Sequence, residues 1–248
     1  MPFIPAGFPN LETTAACLLS LEQAGASLIE IGFPFSDPIA DGPVIQEAFT
    51  HALQNHVRVT QVFETVRAVR SRISIPLVAM VSYSIVYRFG LQRFASGLCD
   101  SGFSGLILPD LPPPEAESVC RAVRATGIDT ILLVAPTTPP DRRTEIARLS
   151  SGFVYYLSVA GTTGERNDLP ANLAANVQEL KSIGDVPVCV GFGIHRPEQV
   201  RQLAGVADGA IIGSAIVRRI REHQSESPQA GAHAVAEYCR SLTQLDAQ

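Results

Sequence analysis

A carboxylate lies inside an apolar run near the start of the chain, in the stretch IEIGFPFSDPIADGP (29–43). The alternation of side chains along a strand places Glu30 on one face and Ile29 and Ile31 on the other. If the isoleucines face helices, Glu30 points into the interior, where poor solvation raises the pKa of a carboxyl group toward neutrality. Such a group suits general acid or base catalysis. The alternative is a structural glutamate that an arginine or backbone amides satisfy, because an unpartnered buried acid is costly.

Two aspartates follow Glu30 in a loop that prolines at positions 34, 38 and 43 make stiff. Aspartate commonly hydrogen-bonds the backbone of a turn, and this alternative applies to both residues. For Asp37, which precedes a proline, the turn interpretation is the better one. For Asp41 the residue type alone leaves a turn role and a catalytic role open.

Glycines mark three later segments, AGTTGER (160–166), GFGI (191–194) and GSAI (213–216). If these segments follow strands, their exposed backbone N–H groups and the dipole of a following helix favour a bound anion. Ser214 could add a hydroxyl group. Ordinary tight turns are the alternative for any one of them, but the three together favour a phosphate site.

The other candidate groups give weaker signals. Tyr155 either lines the site or belongs to the core, which is the usual place of a lone tyrosine. The five histidines form no cluster, so we interpret them as surface or helix-end groups and predict no metal site.

Eight apolar runs predict the strands that must position these residues. They are FIPAG (3–7), LIEIG (28–32), PLVAMV (76–81), GLILPD (105–110), DTILLVA (129–135), FVYYLSV (153–159), VPVCVGFG (186–193) and DGAIIGS (208–214). Most are continuously apolar, which is typical of parallel strands covered by helices on both faces. Helical patterns lie between them, as at 11–25 and 112–127, and a polar loop at 221–233 precedes a predicted final helix at 234–244.

Eight strand–helix units in 248 residues leave about 31 residues for each unit, the size of such a repeat. We therefore predict an α/β fold, a single (β/α)8 TIM barrel domain over residues 1–248, with the active site at the carboxyl ends of the strands. The alternative is an open doubly wound sheet, but no GxGxxG follows the first strand.

Composition excludes several classes of protein. The chain is 46% hydrophobic and has a formal net charge of −5, which supports a sizeable core and argues against nucleic acid or an anionic membrane as a partner. Five scattered cysteines form no CxxC pair, as in a reduced cytoplasmic protein. The N-terminus lacks the pattern of a signal peptide, and no run reaches the length of a membrane span.

The segments IEIGFPFSDPIADGP, LILPDLP, YYLSVAGTTGER, VGFGI and IIGSAIV, taken together, closely resemble the α subunit of tryptophan synthase. The resemblance runs in order from Phe3 to about Arg218. It implies a (β/α)8 lyase that cleaves indole-3-glycerol phosphate to indole and glyceraldehyde 3-phosphate without a cofactor of its own. It also implies an αββα complex, in which the β subunit holds pyridoxal phosphate and receives the indole.

The resemblance also implies roles for individual residues. Glu30 matches the acid/base, and Asp41 matches the aspartate that contacts the indole nitrogen. The remaining matches are Phe3, packed on the indole, Tyr155, lining the site beside the glutamate, Thr163, closing against the aspartate, and Gly164, Gly193, Gly213 and Ser214, contacting the phosphate.

The sequence departs from the family pattern in three places. It begins almost in the first strand, where the family usually has a capping helix, so this helix is expected to be missing. Ser82 and Ser84 replace a tyrosine and an asparagine near the pocket and the partner surface. Ala160 replaces a threonine or serine in the loop that closes.

Three alternatives to a lyase subunit that works with a β subunit remain. A metal-dependent or Asp/Lys-dependent sugar-phosphate barrel is one, although the single lysine, Lys181, lies in a helical segment and disfavours Schiff-base chemistry. A non-catalytic regulatory subunit is the second, and the presence of both Glu30 and Asp41 argues against it. A free-standing indole producer is the third.

Overall fold

The computed structural model describes residues 1–38, 41–157, 169–191 and 193–243. Within them lie eight strands in one sheet, in the order of the chain, each parallel to the next. The strands are β1 Phe3–Pro5, β2 Ile29–Gly32, β3 Leu77–Met80, β4 Gly105–Ile107, β5 Asp129–Val134, β6 Val154–Leu157, β7 Val188–Gly191 and β8 Gly209–Ile211. All eight predicted strands are confirmed, with shorter bounds than the apolar runs.

The sheet closes on itself between its first and last strands. Phe3 N donates to Ile212 O at 2.9 Å, and Ile212 N donates to Met1 O at 3.0 Å. A parallel bridge pairs Pro2 with Ile212. This seam confirms the predicted (β/α)8 barrel and excludes the open sheet.

Eleven helices surround the barrel in the described part of the chain, and five of them begin at a proline, which fits the first turn of a helix. They are α1 Leu11–Gln23, α2 Pro43–Gln54, α3 Val59–Arg70, α4 Tyr83–Phe89, α5 Leu91–Ser101, α6 Pro113–Arg124, α7 Pro140–Leu149, α8 Leu173–Ile183, α9 Pro197–Leu203, α10 Ser214–Glu222 and α11 Pro228–Thr243. The helices predicted at 11–25 and 112–127 are confirmed as α1 and α6. Among the described residues, no helix has both the length and the apolar character needed to cross a membrane.

The prediction for the C-terminal region was partly wrong. Helix α11 begins at Pro228, inside the segment predicted as a polar loop, and α10 extends into the same segment as far as Glu222. Ser227 Oγ accepts a hydrogen bond from Ala230 N at 3.3 Å and so helps to start α11. Gly231 is buried close to Thr13 of α1. The small residues of this turn therefore pack tightly, although the polar residues around them in the sequence predict a loop.

Side chains along the strands divide into an outer and an inner layer. Ile29 and Ile31 of β2 belong to the large cluster packed between strands and helices. A separate cluster fills the barrel interior and consists of Val78, Ile107, Ile131, Phe153, Tyr155, Cys189 and Ile211. The interior is therefore a packed core below the mouth of the barrel.

Candidate functional site

Glu30 lies in the middle of β2 and points into the barrel, as the alternation predicts. It is in register with Phe3 on one side and with Val78 of the inner cluster on the other. The residue is 1% exposed, and its Oε1 has no hydrogen-bond partner among the described residues. The alternative of a glutamate satisfied by an arginine therefore gains no support, since no arginine pairs with it in the described ranges.

The surroundings of Glu30 favour its protonated form. Burial, and secondly the charge of Asp41, raise the pKa of Glu30 to about 8. A carboxyl group with this pKa carries its proton at neutral pH and can still release it, which suits it to proton transfer in either direction.

This pKa predicts a pH dependence of stability. The folded pKa lies above the unfolded value of about 4.3, so the folded state keeps a proton that the unfolded state has lost. The free energy of unfolding should therefore fall as pH rises between these two values, by up to about 1.4 kcal/mol per pH unit. Glu30→Gln removes this contribution, and urea unfolding at about pH 5 and about pH 8 measures it.

The exposed Glu12 offers the matched control, because Glu12→Gln should keep the pH dependence of the wild type. If the free energy of unfolding changed with pH equally in wild type and Glu30→Gln, the pKa of Glu30 in the folded protein would not be raised.

Asp41 lies just before α2, at the end of the loop that follows β2. Asp41 N donates to Pro38 O at 3.0 Å, and Gln46 Nε2 donates to Asp41 O at 2.8 Å and to Pro38 O at 3.2 Å. Burial raises the pKa of Asp41 to about 6. Asp37 is exposed and accepts a hydrogen bond from Ser36 Oγ at 2.5 Å, in keeping with a turn residue. The two loop aspartates thus differ in environment, and only Asp41 lies close enough to Glu30 to shift its pKa.

Two aromatic side chains lie over inward-facing glycines beside Glu30. A Cβ atom on Gly191 would lie 2.6 Å from Tyr155 Cε1, and one on Gly32 would lie 2.5 Å from Phe3 Cζ. Only glycine leaves room for these rings. The charges of Glu30 and Asp41 act on Tyr155, whose pKa is raised well above its usual value, mainly by burial.

The glycines after β7 and β8 have the features expected of an anion seat. Gly193 has a φ of 42°, a left-handed conformation that glycine adopts readily. Gly213 precedes Ser214, the first residue of α10, and occupies the N-cap position, where it has no side chain to cap the helix. A Cβ atom on Gly213 would meet nothing closer than Ile45 and Phe3, both at 3.8 Å. The start of α10 therefore lies next to Phe3, the residue in register with Glu30, and the first N–H groups of a helix favour a bound anion.

The sequence profile of the family described as "Tryptophan synthase alpha chain" matches residues 1–246. The chain belongs to this family. Curated tryptophan synthase alpha chains of Rhodopirellula baltica and Prochlorococcus marinus are both 45% identical to it; each alignment covers 98% of this chain, and 91% and 87% of the relative. The family is one of lyases of tryptophan biosynthesis, and the chain has the role of an alpha subunit.

Solved structures support the same assignment. The tryptophan synthase alpha subunit of Pyrococcus furiosus has a TM-score of 0.90 and 34% identity, over 98% of this chain and 97% of that one. A chain of Mycobacterium tuberculosis tryptophan synthase has a TM-score of 0.85 and 35% identity, over 96% and 91%. The fold of this alpha chain is therefore the family's TIM barrel.

Three residues named from the family resemblance lie outside the described residues of this alpha chain: Thr163, Gly164 and Ala160. The other six members of the predicted site lie within the described residues. Phe3, Asp41 and Tyr155 lie near Glu30. Gly193 follows β7, and Gly213 and Ser214 follow β8. Within the described ranges, no group of three or more His, Cys, Asp or Glu side chains could hold a metal ion.

The two serines that depart from the family pattern form a small network at the start of α4. Ser82 Oγ donates to Asp110 Oδ2 at 2.6 Å, and Tyr83 N donates to Asp110 Oδ1 at 2.7 Å. Ser84 Oγ lies 2.8 Å from Ser82 Oγ. Asp110 therefore joins the loop after β4 to the helix after β3, a role that sequence reasoning missed.

Gln46 is the second residue that sequence reasoning missed. It holds the turn that carries Asp41, and its position in the first turns of α2, just after a Gly-Pro pair, is the signal that could have identified it.

Proposed function

We propose that this alpha chain cleaves indole-3-glycerol phosphate to indole and glyceraldehyde 3-phosphate by a retro-aldol reaction, and that it passes the indole to a β subunit. One observation carries the proposal. A buried carboxyl group, with one oxygen that has no hydrogen-bond partner among the described residues, faces the barrel interior beside a second carboxylate. Phe3 lies between this group and the glycine that precedes α10.

Glu30 would move the protons of this reaction. Its protonated carboxyl group would give a proton to C3 of the indole, the carbon that leaves. The bond between C3 and the glycerol chain then breaks, and its electron pair returns to the ring. The hydroxyl group on the other carbon of that bond loses its proton and becomes the aldehyde, and the Glu30 carboxylate is a suitable acceptor. Proton given and proton taken balance, so no cofactor is consumed.

Asp41 would stabilise the cation that forms between these steps. Protonation at C3 places positive charge on the indole nitrogen, and a fixed anion near that atom lowers the energy of the charged state. With a pKa of about 6, Asp41 is mainly ionised at neutral pH, whereas Glu30, with a pKa of about 8, is mainly protonated. Two carboxyl groups in different environments thus serve two roles.

The other site residues would bind the substrate. Phe3 and Tyr155 would enclose the indole, since both rings lie beside Glu30. Gly193, Gly213, Ser214 and Gly164 would hold the phosphate through backbone N–H groups and one hydroxyl. Thr163 would close over the substrate against Asp41 and exclude water.

The partner would be a β subunit that carries pyridoxal phosphate, in an αββα complex, with none of that cofactor bound to this chain. We propose the contact surface to be the loops after β2 and β3 together with residues 108–115. These segments lie at the carboxyl ends of the strands, where the site also lies. All five cysteines are free, which supports a reducing cytoplasmic location.

Tyr87 offers a test of this contact surface. It is 73% exposed, the one exposed large hydrophobic side chain in the described residues, and it packs on Tyr83 at a centroid distance of 6.1 Å. Tyrosines are enriched among interface residues that dominate binding energy. Tyr87→Ala should therefore weaken association with the β subunit by about tenfold or more, as measured by calorimetric titration.

The control is Arg72→Ala, an exposed position just before β3 at the opposite end of the barrel, which should leave the affinity unchanged. Equal affinities of Tyr87→Ala and wild type would place the interface elsewhere.

The experiment for the proposed function is an assay of indole release from indole-3-glycerol phosphate, with and without the β subunit. Activity that rises when the β subunit is added supports the proposal. No release in either condition would favour the regulatory subunit, and full activity that the partner does not change would favour the free-standing producer.

A further inference from the structure

Side-chain hydrogen bonds hold the backbone of the loop after β7 in place. Gln199 of α9 is 1% exposed, and its Oε1 accepts hydrogen bonds from His195 N at 2.9 Å and from Arg196 N at 3.1 Å. The His195 ring nitrogen Nδ1 lies 3.0 Å from Gly193 O, and it donates there because a carbonyl oxygen only accepts. The backbone of the segment 193–196 is thus held by Gln199 of the helix that follows it and by the ring of His195.

A tyrosine from the last helix completes this support. Tyr238 of α11 donates its hydroxyl hydrogen to His195 O at 2.7 Å. The guanidinium carbon of Arg219 lies 5.1 Å from the centroid of the Tyr238 ring, within the range of a cation–π interaction. Arg219 belongs to α10, the helix that begins at Ser214. One side chain of α11 therefore contacts both the loop after β7 and the helix after β8.

These two elements carry the groups that we assign to the phosphate. Backbone N–H groups bind an anion well only when the backbone already holds them in the right orientation, because ordering a loop on binding costs free energy. A hydrogen bond to the carbonyl group of His195 restrains the peptide two residues after Gly193. A ring packed against Arg219 restrains α10 relative to that peptide.

We propose that Tyr238 is a positioning residue for the phosphate seat, by which we mean the loop after β7 with Gly193 and the start of α10 with Gly213. Its hydroxyl group aligns the loop after β7, and its ring aligns α10. It touches neither the substrate nor the reacting atoms. The inference rests on the proposed function, since it requires that the phosphate binds between Gly193 and Gly213.

The test is Tyr238→Phe, which removes the hydroxyl group and keeps the ring over which Arg219 lies. Calorimetric titration with glycerol 3-phosphate, a phosphate monoester without the indole, should give a Kd about three- to tenfold higher than that of the wild type. The KM for indole-3-glycerol phosphate should rise by a similar factor, while kcat stays within about twofold, because the reacting groups are unchanged.

Thr130→Val is the matched control for a purely structural effect. Thr130 is buried at the amino end of β5, and its hydroxyl group donates to Leu149 O at 3.1 Å. Both variants should lower the thermal midpoint, but only Tyr238→Phe should weaken glycerol 3-phosphate binding. If both variants bind the ester like the wild type, or if both weaken it equally, Tyr238 has no positioning role.

Gly213→Asp separates this inference from the proposed seat. Loss of ester binding in Gly213→Asp, together with unchanged binding in Tyr238→Phe, would overturn the positioning role alone. Unchanged binding in Gly213→Asp would overturn the seat, and the role of Tyr238 with it.

Discussion

Replacing Glu30 with Gln is expected to lower kcat for indole release by about 10²- to 10⁴-fold, the usual contribution of a general acid or base. Glutamine keeps the size of the side chain and its place in β2 but has no proton to give to the indole. The buried amide should not disrupt the fold, because the carboxyl group that it replaces is mainly protonated at neutral pH. Steady-state kinetics of indole release, with saturating β subunit, measures the loss.

The pH profile adds a second readout for Glu30. Wild-type activity should decline as pH rises through about 8, since the ionised carboxylate no longer supplies the proton. In Glu30→Gln the residual rate should lack this decline. The exposed Glu12→Gln should retain wild-type rates throughout, and a Glu30→Gln enzyme with comparable rates would remove Glu30 from the mechanism.

Replacing Gly213 with Asp is expected to raise KM for indole-3-glycerol phosphate by about 100-fold or more. The new carboxylate would lie at the start of α10, where the phosphate is proposed to bind, and two like charges in contact cost several kcal/mol. The same N–H groups would bind the introduced carboxylate, so the variant should fold normally. Circular dichroism and thermal unfolding check the fold, and kinetics gives KM.

Gly213→Ala is the matched control at the same position. An alanine Cβ would lie 3.8 Å from its nearest neighbours, Ile45 and Phe3, which is ordinary van der Waals contact. Its effect on KM should therefore be much smaller than that of the aspartate. If Ala and Asp raised KM equally, loss of backbone freedom rather than charge would explain the result. This outcome would contradict a phosphate bound at Gly213.

The strands and Glu30 could be predicted because their signals are local. A buried parallel strand is continuously apolar, and the period of two assigns Glu30 to one face without any knowledge of the rest of the chain. The start of α6 was predictable from the prolines that precede and begin it. The start of α11 was missed because the residues around Pro228 are mostly polar, and the small residues among them that pack against α1 give no apolar pattern.

The supporting residues could not be predicted for a different reason. Tyr238 contacts a residue 43 positions away in the sequence, and Asp110 reaches one 28 positions away. The partner of Tyr238 is a backbone carbonyl group, which every residue possesses, so no sequence pattern indicates the contact. Such contacts follow from the tertiary fold, which brings segments that are distant in the sequence next to each other.

The packed side chains inside the barrel also determine how small molecules can enter and leave it. Val78, Ile107, Ile131, Phe153 and Cys189 pack together inside the barrel, so the barrel is not a pore, and a site within it opens only at the carboxyl ends of the strands. If the chain cleaves indole-3-glycerol phosphate as proposed, the substrate and both products pass through this one end. A protein that receives the indole without losing it to bulk water would then have to cover that end, and the aldehyde would leave only before it is covered or after it is uncovered.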